Sequence, residues 1–292
     1  MTRELLIKMA RDVISHGKAN TIAKADDFYK MPSSVYFDEQ RNQDEKDLIF
    51  KRIPIVLGPS AEIPNVGDFK TMDIVNTPII ISRTKDGSVK GFMNTCMHRG
   101  SPITFEETGN TMRFTCPYHG WTYTNDGKLM GIASENDFGN VDKECFNLKS
   151  FPVYERAGII WGVLNSSSEV DFDSFIQDYD NMISHFGFEN WSLFAKRTIS
   201  GPNWKAGYDG YLDIYHVPVL HKNTFGPNTS NRPLYYSWGP HQRVCTVSLS
   251  KDKDRATLGY MSDLVDLEEK DWDIDTLLYG VWTVFPHASI AS

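Results

Sequence analysis

The 292-residue sequence contains few cysteines, no long apolar run and no cluster of basic residues. Its four cysteines are too few for a disulfide framework in a chain of this length. The longest clearly apolar stretch, Gly158–Leu164, is far shorter than the roughly 20 residues that a transmembrane helix needs. No basic run exceeds two residues and the net charge is −8, so we expect neither a membrane nor a nucleic acid as a partner.

The N-terminal segment also lacks the features of a secretory signal, because charged residues interrupt any apolar core. Its apolar residues recur at helical spacing and predict an amphipathic helix: Leu6, Met9, Ala10, Val13 and Ile14. We therefore expect a cytoplasmic protein, in which paired cysteines bind a metal or act as catalytic thiols.

The sequence does contain a β-rich middle flanked by helical segments. Between residues 53 and 163, short apolar runs alternate with turns, and Asp86-Gly87 and Asp126-Gly127 each separate two such runs, as in β-hairpins. A polar linker, Asn165–Ser168, follows this region. The pattern predicts an α+β fold in which a small all-β module of about 110 residues is inserted in, or followed by, a larger mixed domain.

Within the mixed domain, apolar spacing predicts helices over Phe172–Phe186 and Tyr211–Leu220. Strands are predicted at Val244–Leu249 and Tyr279–Phe285. We interpret two cysteines as small buried residues and two tryptophans as core of the β-module: Cys145, Cys245, Trp121 and Trp161.

The most informative motif lies in the β-rich domain. Cys96-Met97-His98 and Cys116-Pro117-Tyr118-His119 each provide a thiolate and an imidazole from a tight loop, with a glycine directly after the histidine. Two Cys and two His suit either a tetrahedral zinc ion or a Rieske [2Fe–2S] cluster, in which two Cys bind one iron and two His bind the other. The order Cys-His then Cys-His favours the cluster, because structural zinc sites usually have their cysteines first.

A second group of candidate ligands lies in the mixed domain. Asp213 and His216 are three residues apart and share one face of the predicted helix. The carboxylate can then accept a hydrogen bond from the His216 ring and fix its tautomer. Pro218 distorts the helix, which would bring His216 and His221 to one metal ion. Two His and one carboxylate form the facial triad of non-heme Fe(II) oxygenases.

Together these motifs resemble the α subunit of Rieske non-heme iron oxygenases, the aromatic-ring-hydroxylating type. The resemblance rests on Asn94–Gly100 (NTCMHRG), Cys116–Tyr123 (CPYHGWTY) and the D-x-x-H-x₄-H spacing of Asp213, His216 and His221. It implies an all-β Rieske domain (residues 51–165) plus a mixed antiparallel-sheet and helix catalytic domain (166–292), to which an N-terminal helical segment (1–50) also belongs.

The resemblance implies two cofactors and their ligands. Cys96, His98, Cys116 and His119 would hold a Rieske [2Fe–2S] cluster, and His216 and His221 would hold Fe(2+). Asp213 would be the catalytic residue that links the two centres.

The resemblance also implies an activity and its partners. Electrons from NAD(P)H would arrive through a separate reductase, with or without a ferredoxin, and O₂-derived oxygen would enter a small organic substrate, with aromatic hydrocarbon catabolism the first expectation. A homotrimer or an α3β3 assembly is implied, and mono- and dioxygenase chemistry both stay open.

In this family the third iron ligand is an Asp or Glu far downstream of the histidine pair. The sequence ends at Ser292, soon after Phe285-Pro286-His287, which resembles a mid-domain motif of the family. We therefore expect a C-terminally truncated sequence whose third ligand lies beyond Ser292. An acidic residue within Asp263–Asp275 is the alternative. Iron bound by two histidines alone would be held weakly, so we expect little oxygenase activity from 292 residues.

Two other classes of protein remain as alternatives. A Rieske-type electron-transfer protein needs only one small domain and leaves Asp213, His216 and His221 unexplained. A zinc-stabilised binding module needs no sulfide.

Metal analysis separates the zinc module from the other two classes. We predict that the purified protein contains two cluster irons together with acid-labile sulfide and a visible Rieske spectrum. Iron, zinc and sulfide assays check this, and a colourless preparation with stoichiometric zinc and no sulfide would contradict it.

Overall fold

A computed structural model describes residues 2–224, 226, 230–246 and 264–292. The chain forms two compact units. One comprises residues 44–170 and 187–196 and contains mainly strands; the other comprises residues 1–43, 171–186 and 197–292 and contains helices and strands. The predicted α+β class is confirmed, whereas the domain boundaries at 50/51 and 165/166 remain predictions.

The β-rich unit contains antiparallel sheets with the strand orders β1-β11-β10, β5-β2-β3-β4-β9 and β6-β7-β8. Their bounds are β1 Ile55–Pro59, β2 Asp68–Ile74, β3 Thr77–Arg83, β4 Val89–Met93, β5 Thr108–Asn110, β6 Arg113–Thr115, β7 Thr122–Thr124, β8 Leu129–Gly131, β9 Ser150–Phe151, β10 Val153–Arg156 and β11 Ile159–Gly162. A short helix, α2 (Glu39–Glu45), begins in the other unit and ends in this one.

Both predicted hairpins are present, and each turns at its glycine. Gly87 joins β3 to β4 with φ +83°, and Gly127 joins β7 to β8 with φ +87°. A side chain at position 127 would place Cβ within 2.3 Å of the Phe92 ring, so only glycine fits this turn. The sequence signal was strong because a positive φ leaves little choice of residue.

The β-rich unit has a core that includes the cysteines of the predicted cluster. Cys96 and Cys116 are both buried and pack among apolar side chains from several strands, among them Phe69, Ile80, Phe92, Phe114, Trp121, Tyr123 and Leu129. Trp161 is also fully buried, as predicted. The core therefore fixes the bases of both cysteine loops.

The mixed unit combines a four-stranded antiparallel sheet, β12-β13-β14-β15, with short helices. Their bounds are α1 Thr2–Ala19, α3 Phe172–Ile176, α4 Tyr179–Ile183, α5 Trp204–Leu212, α6 Val217–Leu220, α7 Ile274–Leu278, β12 Pro233–Trp238, β13 His241–Thr246, β14 Val281–Val284 and β15 Ala288–Ala291. Helix α1 buries the apolar stripe that the sequence predicted. None of the described helices is both long enough and apolar enough to cross a bilayer.

Two predicted helices are shorter than expected. The helix predicted over Phe172–Phe186 is divided into α3 and α4, because Gln177 and Asp178 adopt left-handed backbone conformations between them. The helix predicted over Tyr211–Leu220 is likewise wrong as a single element, because α5 ends at Leu212. Apolar periodicity continues through both breaks and therefore does not reveal them.

The strand predictions differ from the structure only at their ends. Strand β13 covers the described part of Val244–Leu249, whose last three residues lie outside the described ranges, and β14 lies within Tyr279–Phe285. Cys245 is buried in β13, as predicted. Cys145 is exposed instead: it lies in a single 3₁₀ turn, Lys143–Phe146, and its thiol donates to the Asp142 carboxylate at 3.4 Å.

A buried histidine in β13 predicts that the stability of the mixed unit depends on pH. His241 is fully buried; Nδ1 accepts the Phe285 amide at 3.3 Å, so Nε2 is the nitrogen that donates to the Phe175 carbonyl at 3.2 Å. Its ring stacks on Tyr179 with centroids 5.0 Å apart. Burial lowers the pKa of His241 to about 4.

We predict that stability falls as the pH decreases from about 6.5, the ordinary histidine value, towards 4. In that window the unfolded chain binds a proton that the folded chain does not, which costs the fold about 2 kcal/mol between pH 7 and pH 5. Urea denaturation of wild type and His241→Gln at both pH values checks this. The variant should lose less stability on acidification, and His16→Gln, at the exposed end of α1, should behave as wild type. Equal losses in wild type and His241→Gln would contradict the prediction.

Candidate metal centres

The two cysteine loops of the β-rich unit have the same local structure. Cys96 follows β4 and Cys116 follows β6. In each loop the cysteine amide donates to the carbonyl five residues later, at 2.8 Å in both loops. The glycine amide four residues after the cysteine donates back to the cysteine carbonyl, at 2.9 Å from Gly100 and 3.0 Å from Gly120. Both glycines have a positive φ, +77° and +68°, which explains why each histidine is followed by glycine.

The imidazoles of the two loops lie side by side. The ring centroids of His98 and His119 are 4.7 Å apart, and His98 stacks on Trp121 at 4.9 Å with nearly parallel planes. Trp121 is buried, as predicted. Tyr118 packs against His119 with centroids 3.8 Å apart. The aromatic neighbours thus hold both rings in fixed orientations.

The ring nitrogen Nδ1 of His98 is in a position that suits a metal ligand. Nδ1 of His98 is buried and has no hydrogen-bond partner among the described residues, a costly arrangement unless a ligand occupies it. Burial, followed by the charges of His119 and Arg99, lowers the pKa of His98, so its ring is in the neutral form that binds metals. Burial raises the pKa of the Cys96 thiol, which makes the free thiolate unfavourable without a cation beside it.

The donor set matches that of a two-iron cluster. The rings of His98 and His119 lie side by side, and the thiols of Cys96 and Cys116 lie close enough to interact. In a Rieske cluster two Cys bind one iron and two His bind the other. The residues present therefore suit the Rieske cluster.

Two supporting side chains were not singled out from the sequence. Asn94 joins the ends of the first loop: its Oδ1 accepts the amides of Ile103 and Thr104, and its Nδ2 donates to the Thr104 carbonyl at 2.9 Å. The fully buried Tyr123 accepts the Met97 amide at 3.2 Å, and its hydroxyl lies 3.4 Å from Cys96 Sγ. Asn94 and Tyr123 both lie inside the motifs that carry the resemblance, Asn94–Gly100 and Cys116–Tyr123, but the sequence alone assigns a role to neither.

The second candidate centre begins at the end of α5. Asn203 caps the start of this helix by accepting the Lys205 amide at 3.0 Å. Asp213 ends the helix, and its Oδ1 accepts the Tyr215 amide at 2.9 Å. Its Oδ2 lies 3.4 Å from Nδ1 of His216. The predicted contact between Asp213 and His216 is therefore present, but it forms across a turn rather than along a helix face.

The second histidine is reached through the short helix α6. Pro218 lies in its first turn, where a missing amide hydrogen costs nothing, and His221 ends it. The imidazole centroids of His216 and His221 are 5.4 Å apart, and both rings face a cavity of about 330 Å³. Since Nδ1 of His216 faces Asp213, Nε2 is the nitrogen left for a metal ion.

No described carboxylate joins these histidines as a third ligand. Within the predicted alternative Asp263–Asp275, Glu269 pairs with Arg11, and Asp273 caps α7 by accepting the Thr276 amide at 2.9 Å. Asp263 lies outside the described residues. In the described part of the chain, no group of three potential ligands includes His216 and His221.

Comparison with protein families gives two matches, one in each part of the chain. Residues 54–152 match the Rieske [2Fe-2S] domain, and residues 188–291 match the catalytic domain of ring-hydroxylating α subunits. The two matches cover the cysteine loops and the Asp213–His221 segment, respectively.

Two curated relatives and a solved structure that resemble this chain are oxygenases. The oxygenase subunit of glycine betaine monooxygenase from Pseudomonas aeruginosa is 29% identical over 204 residues, 70% of this chain and 47% of that protein. The large oxygenase component of the 2,4-dinitrotoluene dioxygenase system from Burkholderia sp. is 33% identical over 195 residues, 64% of this chain and 43% of that protein. A structure of naphthalene 1,2-dioxygenase with indole bound has a TM-score of 0.68 and 25% identity, covering 88% of this chain and 64% of that one.

These findings define a chain that combines a Rieske domain with a ring-hydroxylating catalytic domain, and they imply a [2Fe–2S] cluster and a mononuclear iron as cofactors. The curated relatives are named as oxygenase subunits, in agreement with the predicted resemblance to Rieske non-heme iron oxygenase α subunits. The chain spans about half the length of the curated relatives that it matches.

We predict that the two centres can be removed independently. Cys116→Ser should abolish the cluster, because it removes one of the two buried thiolates. His216→Ala should leave the visible and EPR spectra of the cluster intact and remove the mononuclear iron. Iron analysis of both variants beside wild type checks this. Equal bleaching of the cluster in both variants would show that the division into two sites is wrong.

Proposed function

We propose that this chain acts in a terminal oxygenase, which passes electrons through the Rieske cluster to a mononuclear Fe(II) and inserts O₂-derived oxygen into an organic substrate. The observation that carries the proposal is the presence, in one chain, of the paired Cys–His loops and of a histidine pair backed by a carboxylate. When bound, the cluster supplies single electrons and the mononuclear iron supplies activation of O₂.

Each candidate residue then has a role that follows from its position. Cys96, Cys116, His98 and His119 hold the cluster, and His216 and His221 hold the mononuclear iron. Asp213 keeps the proton of His216 on Nδ1 and thereby directs Nε2 into the cavity. The third protein ligand is proposed to be a carboxylate beyond Ser292.

The partners follow from the same proposal. Relatives are named as large oxygenase components of multi-component systems, which supports electron delivery by a separate NAD(P)H-dependent reductase, with or without a ferredoxin. We further propose a homotrimer or an α3β3 assembly, in which Asp213 would connect His216 to His119 of the partner subunit. A carboxylate between two imidazoles is a short hydrogen-bonded path between the centres.

The cavity beside His216 and His221 favours a neutral, apolar substrate. Its described lining contains no Asp, Glu, Lys or Arg, and much of it is apolar: Ile214, Val217, Val244, Val281 and Ala291. A carboxylate or a quaternary ammonium group buried here would lack a partner of opposite charge among these residues. Both charged and neutral substrates occur among the named relatives, from glycine betaine to naphthalene. We propose the neutral aromatic class for this chain.

The alternative, a Rieske electron-transfer protein, is less well supported. It gives no role to the region that matches the ring-hydroxylating catalytic domain, nor to the cavity that the two histidines face.

An oxygen-labelling experiment tests the proposal. The protein, loaded with Fe(II), is supplied with NADH, a reductase, a ferredoxin and ¹⁸O₂, together with naphthalene, benzoate or glycine betaine. Both the 292-residue chain and the product of the reading frame continued past Ser292 are assayed, because the third ligand is expected there. We predict ¹⁸O in the naphthalene product of the longer protein, loss of labelling with His216→Ala, and little labelling of the two charged compounds.

The controls separate the possible failures. Labelling of benzoate or glycine betaine in preference to naphthalene would contradict the substrate class alone. A cluster that is reduced and reoxidised without labelling any compound, in wild type and His216→Ala alike, would support the electron-transfer alternative.

A further inference from the structure

The peptide group between Leu212 and Asp213 is held by hydrogen bonds at both its oxygen and its nitrogen. The Tyr235 hydroxyl donates to the Leu212 carbonyl at 2.8 Å. The Asp213 amide donates to the Asp209 carbonyl at 2.7 Å. Carbonyls in the last turn of a helix have no partner within the helix, so the phenol supplies one that α5 itself cannot.

The backbone of Tyr235 is held in the four-stranded sheet of the mixed unit. It lies in the middle of β12, opposite Val244 of β13. Val244 in turn is buried with Ile214 and Val217, which flank the turn that carries His216. The sheet that presents the Tyr235 hydroxyl therefore also supports the segment between α5 and α6.

Asp213 depends on this support because the bonds of its own carboxylate are local: Oδ1 accepts the Tyr215 amide at 2.9 Å, two residues along the chain, and turns with the backbone of Asp213. Its side chain is 55% exposed, and its contact with Nδ1 of His216, at 3.4 Å, is close to the limit for a hydrogen bond. A small rotation of the Leu212–Asp213 peptide would swing the carboxylate away from the imidazole. The ring would then lose the group that fixes its tautomer and orientation.

We propose that Tyr235 is a positioning residue for the mononuclear iron centre. Its hydroxyl fixes the end of α5, the end of α5 fixes Asp213, and Asp213 orients His216. The inference rests on the proposed function, since it assumes that His216 binds iron.

The neighbouring tyrosine provides a matched control. The Tyr236 hydroxyl is directed instead to the carbonyl of Met9, at 3.3 Å, and to the carboxylate of Asp12, at 3.4 Å. Tyr236→Phe therefore removes the same atom from the adjacent position of the same strand without touching α5.

The test is Fe(II) binding to protein that retains its Rieske cluster but has been stripped of mononuclear iron. We expect Tyr235→Phe to raise the Kd for Fe(II) about 3- to 10-fold, the effect of losing one hydrogen bond that acts through a ligand's partner. Tyr236→Phe should bind as wild type. The nitric oxide adduct of the bound iron should have a broadened EPR signal in Tyr235→Phe only, because the orientation of His216 is less defined. Unaltered cluster absorbance shows that both variants are folded.

A double-mutant cycle separates positioning from general support of the fold. Asp213→Ala should raise the Kd about 10- to 100-fold. If Tyr235 acts through Asp213, Tyr235→Phe should cause no further loss in the Asp213→Ala background. Independent, multiplicative losses would overturn the inference, as would wild-type affinity in Tyr235→Phe or a failure of that variant to retain its cluster. Wild-type protein that binds Fe(II) no better than His216→Ala would instead overturn the proposed iron site itself, and this inference with it.

Discussion

The hydrogen bonds that close each cysteine loop are the constraint on which the β-rich unit depends. A bond from the glycine amide to the cysteine carbonyl curls each loop tightly, and it requires a positive φ at Gly100 and Gly120. The curl brings His98 and His119 side by side above two buried thiols. Trp121, directly after the second loop, stacks on His98 of the first and packs edge-to-face on Phe146, and so adds a contact between the two loops.

The two centres are held by different physical means. The Cys–His loops arise from a packed core, so burial controls the protonation of their ligands. The histidine pair lies on a turn and a short helix at the surface of a cavity, where the exposed Asp213 is held by hydrogen bonds rather than by packing. One centre is thus built from many residues at once, and the other from a few local contacts. This difference agrees with the proposed roles, a fixed electron carrier in one unit and a site that admits a substrate and O₂ in the other.

How far the sequence predicts these centres depends on how local each determinant is. The cysteine loops, the Gly87 and Gly127 turns and the stripe of α1 follow from short patterns with a direct physical cause. The end of α5 at Leu212 does not follow from a short pattern, because the hydroxyl that binds its carbonyl belongs to Tyr235, 23 residues further along the chain. Apolar spacing runs unbroken past that point. The proposed substrate class likewise rests on the structure, since the cavity wall combines residues that are distant in sequence.

The phenol of Tyr123 has a consequence for how the cluster site assembles. It lies on β7, directly after the second loop, yet its hydroxyl contacts Met97 and Cys96 of the first. A movement of either loop would therefore disturb these contacts with the other, although β5 and β6 lie between the two loops in the sequence. We expect these two contacts to make assembly of the cluster site cooperative, because ordering one loop helps to order the other. A population under iron limitation would then consist of loaded and empty molecules rather than of half-built centres.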